Sequence, residues 1–282
     1  MQCDRKHVLL TGTSSGIGKA TMEAALAQGF HVFAGDRSNT SARGGAVPAD
    51  ETLTKIHLDI TKAEDIAAAV TMIDEHVGDV GLDALANIAG IGIPGPLEIM
   101  PMESLRASFE VDFFGQVALT QPLIPLLRKT GGRIIFIGSV VDRTTIPFFG
   151  ALASSKSAIA AVSGTLRQEL APWGIDVVLV EPGFISTGAD KATKARMDKL
   201  IDDFSPSEEA LYGEMFRTST AKGYKTQTSG SSPDGVADVI LEAITTSKPK
   251  AHLVATVAKL PQRVQDQLKR KAFDFPKPRS KR

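Results

Sequence analysis

Cysteine is almost missing from this chain: Cys3 is the only one in 282 residues. One thiol cannot close an internal disulfide, and no Cys/His ligand spacing is present, so the expectation is a reducing compartment and no metal site. Net charge is missing too. Lys plus Arg number 32 and Asp plus Glu number 32, which removes any whole-chain push toward nucleic acid or an anionic membrane. No uninterrupted apolar run reaches the roughly 18 residues of a spanning helix. The longest apolar stretch, around Leu82 to Met100, is broken by Asn, Gly and Pro. The opening residues Met1 to Lys6 run straight into a strand pattern and leave no room for a signal peptide, so a cytoplasmic location is expected. Tyrosine is scarce as well, with only Tyr212 and Tyr224. The five histidines are scattered along the chain, and each reads as structural.

What remains is an ordinary globular composition, 43 % apolar and 23 % charged, on a chain long enough for one large core. Short aliphatic runs alternate with helical periodicity. Strands are expected at His7–Leu10, His31–Ala34, Lys55–Leu58, Leu82–Ala86, Arg133–Ile137, Asp176–Val180 and His252–Ala255. Between them, helices are expected at Ile17–Gln28, Ala63–Val77 with Thr61 as its cap, Met102–Arg128 with a kink at Pro122 and Pro125, Ser154–Ala171, and Asp234–Thr246. Ser38 to Thr52 reads as an irregular loop. This alternation predicts an α/β fold, a parallel sheet covered by helices on both faces, in a single domain over residues 1–260. Residues 188–232 are polar and weakly periodic. An insertion beyond the strand ends is well placed to be a substrate lid, against the plainer reading of a surface excursion. Residues 261–282 form a basic tail that reads as a solvated terminus, with contact to an anionic surface as the alternative.

The strongest local signal follows the first strand: Thr11-Gly12-Thr13-Ser14-Ser15-Gly16-Ile17-Gly18. Glycines there permit a tight turn and a close backbone approach, and the N–H groups opening a helix favour a pyrophosphate. Further on come Asp59 and Ile60 in Leu58-Asp59-Ile60-Thr61, then Asn87-Ile88-Ala89-Gly90, Ser139, Lys156, and Pro182-Gly183 with Thr187. In this order the motifs resemble those of the short-chain dehydrogenase/reductase family over roughly Lys6 to Thr187. Ile88 stands where that family has its second asparagine. The resemblance implies a Rossmann fold, a doubly wound parallel sheet of about seven strands, binding NAD or NADP. Gly12, Ser14, Ser15, Gly16, Ile17, Gly18, Asp59, Ile60, Asn87, Ala89, Gly90, Lys156, Pro182, Gly183 and Thr187 would line the cofactor site. At the end of the second strand Asp36 suits the ribose hydroxyls of NAD, and Arg37 beside it suits the 2′-phosphate of NADP. NAD is favoured, and NADP stays open.

The same resemblance assigns catalysis to a serine, a tyrosine and a lysine, with an asparagine holding a relay water. Ser139 and Lys156 match. Leu152 stands where the tyrosine belongs, and Ala151 and Ala153 offer no rescue by a one-residue slip. Asp112, in Glu110-Val111-Asp112-Phe113-Phe114-Gly115, stands at the asparagine. Leucine has no proton to give, and positioned acid–base catalysis contributes about 10²–10⁴-fold. Two functions therefore stand open. One is an oxidoreductase moving hydride between nicotinamide and a small apolar alcohol or carbonyl by a non-standard proton route through Ser139, Asp112 or water near Lys156. The other is a catalytically impaired nucleotide-binding pseudoenzyme serving as sensor or partner subunit. Ile91, Ile93, Pro94, Pro147, Phe148, Phe149 and Phe184 are expected at the rim of the site. Small residues Ala158, Ala161 and Gly164 and the family resemblance point to a homodimer or homotetramer. No nucleic-acid partner and no integral membrane segment are expected.

Overall fold

The computed structural model describes residues 5–39, 52–142, 144, 146–187 and 189–255. The basic tail and most of the loop at 38–52 lie outside these residues. Seven strands form the sheet: β1 (His7–Thr11), β2 (His31–Asp36), β3 (Leu53–His57), β4 (Ala84–Asn87), β5 (Arg133–Ile137), β6 (Asp176–Pro182) and β7 (His252–Ala255). Their spatial order is β3-β2-β1-β4-β5-β6-β7, every neighbouring pair parallel. This is a single-domain Rossmann-like α/β fold. The chain leaves β1 on one side to build β2 and β3, then returns on the other side for β4. That reversal between β1 and β4 opens a crevice at the carboxyl ends of the strands, where open α/β sheets bind ligands.

Strand residues alternate between two apolar layers because successive side chains of a strand point to opposite faces. Leu9, Phe33, Leu85, Ile134, Phe136, Val177 and Leu179 face one layer, with α2 (Ala63–Val77), α4 (Gln116–Thr130) and α5 (Gly150–Leu170) packed on it. Val8, Leu10, Val32, Ala34, Ala86, Ile135, Val178 and Val180 face the other, under α1 (Gly16–Ala27) and α9 (Pro233–Thr245). Both faces are dry, so the strands read as continuous aliphatic runs and not as alternating ones.

Four sequence expectations are corrected. The helix expected from Ser154 begins at Gly150, so Leu152 sits in its first turn. The helix expected over Met102–Arg128 is α3 (Met102–Phe109), a π-helical turn at Glu110–Gly115, and then α4. The departure from α geometry thus lies at 110–115, while Pro122 and Pro125 stay inside α4. Lys62, not Thr61, precedes α2, and Thr61 instead bonds Asp59. The polar segment after β6 is helical: α6 (Ala189–Asp202), α7 (Pro206–Glu208), a π turn at Glu209–Gly213, and α8 (Glu214–Thr228). Its moderate polarity hid the helices because so much of their surface is exposed. Ser205 and Glu208 close a reciprocal capping box at the start of α7. Among the described residues no helix is long and apolar enough to cross a membrane.

Phe136, fully buried at the centre of the sheet, pairs with Asn87 on one side and Leu179 on the other. Phe136→Ala should cost about 3–5 kcal/mol of stability in denaturant unfolding, since the surrounding sheet cannot collapse into the space. A loss below about 1 kcal/mol would contradict this packing.

Candidate active site

The glycine turn after β1 has one physical reason per glycine. Gly12 (φ +69°) and Gly16 (φ +54°) occupy the left-handed region that side chains disfavour. A Cβ on Gly18 would lie 2.1 Å from the Gly12 carbonyl oxygen, and one on Gly12 would lie 3.0 Å from Ala89 Cα. The turn is pinned to the loop after β4 by Thr11, whose Oγ1 accepts from the Ile88 N–H (2.8 Å) and the Ala89 N–H (2.9 Å). Sequence reading passed over Thr11, although its place immediately before Gly12 was the available signal.

Asp36 ends β2 and accepts from the Ser14 N–H (3.2 Å), the Ser38 N–H (2.8 Å) and the Ser38 hydroxyl (2.6 Å). Burial by itself would raise its pKa, but these bonds outweigh burial and hold the carboxyl below its ordinary value. Asp59 follows the same pattern: burial pushes up, while Thr61 bonds and the Arg37 and Lys62 charges pull it down. Arg37 therefore already works on Asp59.

A cavity of about 510 Å³ runs from this turn to the far end of the crevice. Along it lie Gly12, Ser14, Ser15, Gly16, Ile17 and Gly18 at the turn, and Asp36, Arg37, Asp59 and Ile60 at the ends of β2 and β3. Ala89, Gly90, Pro182, Gly183 and Thr187 line its middle, and Ser139, Leu152 and Lys156 its inner wall. Asn87 does not line it. That residue is fully buried, its Nδ2 donating to Thr120 Oγ1 (3.1 Å).

Lys156 is 6 % exposed, with Nζ donating to the Ile137 carbonyl at 2.8 Å and lying 3.7 Å from Asp112 Oδ1. Asp112 is wholly buried behind it and also does not line the cavity. Its Oδ1 accepts from the Ile91 N–H (3.0 Å), and its Oδ2 from the hydroxyls of Ser155 (3.2 Å) and Ser108 (3.4 Å). The π turn swings Asp112 inward, and Gly90 leaves room for it, since a Cβ there would lie 2.9 Å from Oδ1. Ser155 and Ser108 were missed in the sequence. Ser108 lies one helical turn before Asp112, and Ser155 directly before Lys156. Leu152 lies one turn before Lys156 on α5, half-buried, and faces the same cavity.

Of the expected apolar rim, Ile91, Phe149 and Phe184 line the cavity, but Ile93, Pro94, Pro147 and Phe148 do not. Phe148 instead turns into a cluster with Met197 and Phe216, held at φ +69°. Such a conformation costs about 1–3 kcal/mol for a non-glycine residue and persists only where packing enforces it. Met197 of α6, and Ser219, Tyr224 and Gln227 of α8, complete the lining. Tyr212 is turned away, its hydroxyl donating to Glu98.

The cradle fits a dinucleotide: positive-φ glycines crowd the helix start, an ionised Asp36 flanks it, and a buried ammonium lies at the far end. The family profile described as short chain dehydrogenase matches residues 6–198. The chain belongs to the short-chain dehydrogenase family. These are NAD(P)-dependent oxidoreductases. The chain is 35 % identical over 260 residues to the NADPH-dependent 3-dehydrocapnine reductase of Ornithobacterium rhinotracheale, covering 90 % of this chain and 89 % of that one. It is also 35 % identical over 219 residues to estradiol 17-beta-dehydrogenase 2 of Rattus norvegicus, covering 76 % of this chain but spanning 58 % of that protein's length. Among solved structures, a short-chain dehydrogenase from Streptomyces avermitilis superposes with a TM-score of 0.73 at 27 % identity, covering 94 % of this chain and 92 % of that one.

Removing Asp112 would strand a buried ammonium. Asp112→Ala should destabilise the fold by about 3–5 kcal/mol, whereas Asp112→Asn, which keeps an acceptor for the Ile91 N–H, should lose less. Equal stability of Asp112→Ala and the native chain in urea unfolding would refute this arrangement.

Proposed function

We propose that the chain is a dehydrogenase or reductase of apolar alcohol or carbonyl substrates that prefers NAD and lacks the family's tyrosine proton donor, Leu152 standing in that position. The observation that carries this reading is the continuous cavity joining the glycine turn to Ser139, Leu152 and Lys156. The nicotinamide, when bound, supplies the two-electron oxidation or reduction of the substrate carbon.

The chain's own residues do the rest. N–H groups at the start of α1 bind the pyrophosphate, and Gly12, Gly16 and Gly18 let it approach. Asp36 would accept the adenosine ribose hydroxyls and repel a 2′-phosphate, which supports NAD over NADP, and the Arg37 charge acts on Asp59 as well. The capnine reductase relative is NADPH-dependent, so on this reading the two proteins would differ in cofactor. Lys156 is fixed by Ile137 and Asp112 where it can bind the nicotinamide ribose. Ser139 holds the substrate oxygen at the cavity wall. Asp112 acts through Lys156 as a positioning residue, being too deeply buried to meet substrate. The proton then travels by the Ser139 hydroxyl or water beside Lys156.

Apolar substrates are supported by Ile91, Phe149, Phe184 and Met197 along the cavity, and by the estradiol dehydrogenase among the relatives. Helices α6 and α8 act as the lid. Gln227 anchors it, its Nε2 donating to the Ile185 carbonyl at 2.9 Å beside the Pro182-Gly183 loop.

The decisive comparison is turnover of the native chain and of Leu152→Tyr on a panel of apolar alcohols and ketones with NAD(H). The tyrosine variant should be faster by about 10²–10⁴-fold, the usual contribution of a positioned proton donor. Equal rates would show that Leu152 does not occupy the proton donor's place. Binding without turnover in the native chain, with activity only in the variant, would favour the sensor or partner-subunit reading over a native enzyme.

A further inference from the structure

Three of the five histidines, scattered at positions 7, 31 and 76 in the sequence, come together in space. His7 opens β1 and His31 opens β2, and the two are register partners on the parallel pair. His76 lies in the last turn of α2, which packs over that end of the sheet. One ring nitrogen from each can be chosen so that all three lie within 4.8 Å of one another. The ring centroids are 5.5 Å (His7–His31), 5.6 Å (His7–His76) and 4.4 Å (His31–His76) apart. A tetrahedral zinc site with Zn–N near 2.0–2.1 Å places ligand nitrogens roughly 3.4 Å apart and imidazole centroids roughly 5 Å apart. The ring centroids thus lie near ligating separation, and the nitrogens would close from within 4.8 Å to roughly 3.4 Å on binding.

We propose that His7, His31 and His76 form a three-histidine site for a divalent transition-metal cation, zinc foremost, at the amino ends of β1 and β2. Zinc accepts three imidazoles and keeps its fourth position for water. A second observation points the same way. His7 Nδ1 is enclosed and has no hydrogen-bond partner among the described residues. Buried polar atoms are nearly always satisfied, and an enclosed imidazole nitrogen beside two others is suited to a cation. His31 is oriented by a 3.0 Å contact between its Nε2 and Thr54 Oγ1, the kind of outer partner that fixes a ligand ring. The carbonyl end of α2 adds negative potential near His76. Asp83, which accepts the His7 backbone N–H at 2.8 Å, lies nearby but is paired with Lys6 at 3.6 Å, so the imidazoles carry the site.

The cluster lies at the opposite end of β1 from the glycine turn, so it is independent of the nucleotide site. Phe33 packs against all three rings. The competing account is therefore a purely aromatic cluster of neutral imidazoles, and the test separates the two.

The full chain, stripped with a chelator, is titrated with Zn²⁺ by calorimetry and with Co²⁺ by visible absorption. One equivalent should bind, Co²⁺ should give the intense d–d bands of tetrahedral nitrogen ligation, and Zn²⁺ should raise Tm. His76→Phe keeps an aromatic ring in the cluster but removes a ligand, and should weaken Zn²⁺ binding at least tenfold. His7→Phe serves the same purpose if His76→Phe does not fold, and Cys3→Ser, which removes the only thiol, should leave binding unchanged. Failure of the folded native chain to bind Zn²⁺ or Co²⁺ saturably, or equal binding by the phenylalanine variants, would overturn the site and leave the aromatic cluster.

Discussion

The crevice is organised by one buried contact: the Lys156 ammonium held between the Ile137 carbonyl at 2.8 Å and the Asp112 carboxylate at 3.7 Å. An ammonium this deep is tolerable only with a counter-charge and hydrogen bonds in place. The counter-charge comes from a π turn between α3 and α4, and its remaining valences are filled by Ile91, Ser108 and Ser155. Five segments are thereby tied together: the end of β5, the loop after β4, α3, the π turn and α5. All of these but α3 also contribute residues to the cavity wall. The lysine position is thus a property of the fold as much as of the site.

Leu152 acquires its meaning from this frame. It is one helical turn from a rigidly held cation, in the first turn of α5, and it faces the same cavity as Ser139. An apolar side chain there contributes contact area and no proton. The glycine turn at the other end of the crevice is equally constrained, since a Cβ on Gly12 would crowd Ala89 and one on Gly18 would collide with the Gly12 carbonyl. One end of the cavity has features suited to a dinucleotide, while Leu152 at the other offers no acid. That asymmetry sets nucleotide binding apart from catalytic rate.

Much of this was legible in the sequence because its signals are local. Aliphatic runs gave the strands, and the spacing of Gly12, Gly16 and Gly18 gave the turn. Ser139, Leu152 and Lys156 all line the cavity. What was not legible depends on three-dimensional closure. Nothing in the segment around Asp112 marks a π turn, so its withdrawal from the cavity behind Lys156 could not be read. Asn87, expected at the cofactor, is buried away from the cavity lining and donates to Thr120. Phe148 looked like rim and packs against α8, because Phe216, 68 positions later, is its T-shaped partner at 5.0 Å. His7, His31 and His76 share no motif spacing, and only the parallel pairing of β1 and β2 under α2 makes them neighbours.

The central claim is that the cavity holds a nicotinamide dinucleotide although Leu152 can give no proton. Calorimetric titration of the native full chain with NADH and, separately, NADPH tests it most directly. The account predicts saturable binding of one NADH per chain with a dissociation constant in the micromolar range, about −8 kcal/mol, and weaker binding of NADPH. Absence of saturable binding of either nucleotide at millimolar concentration would contradict it.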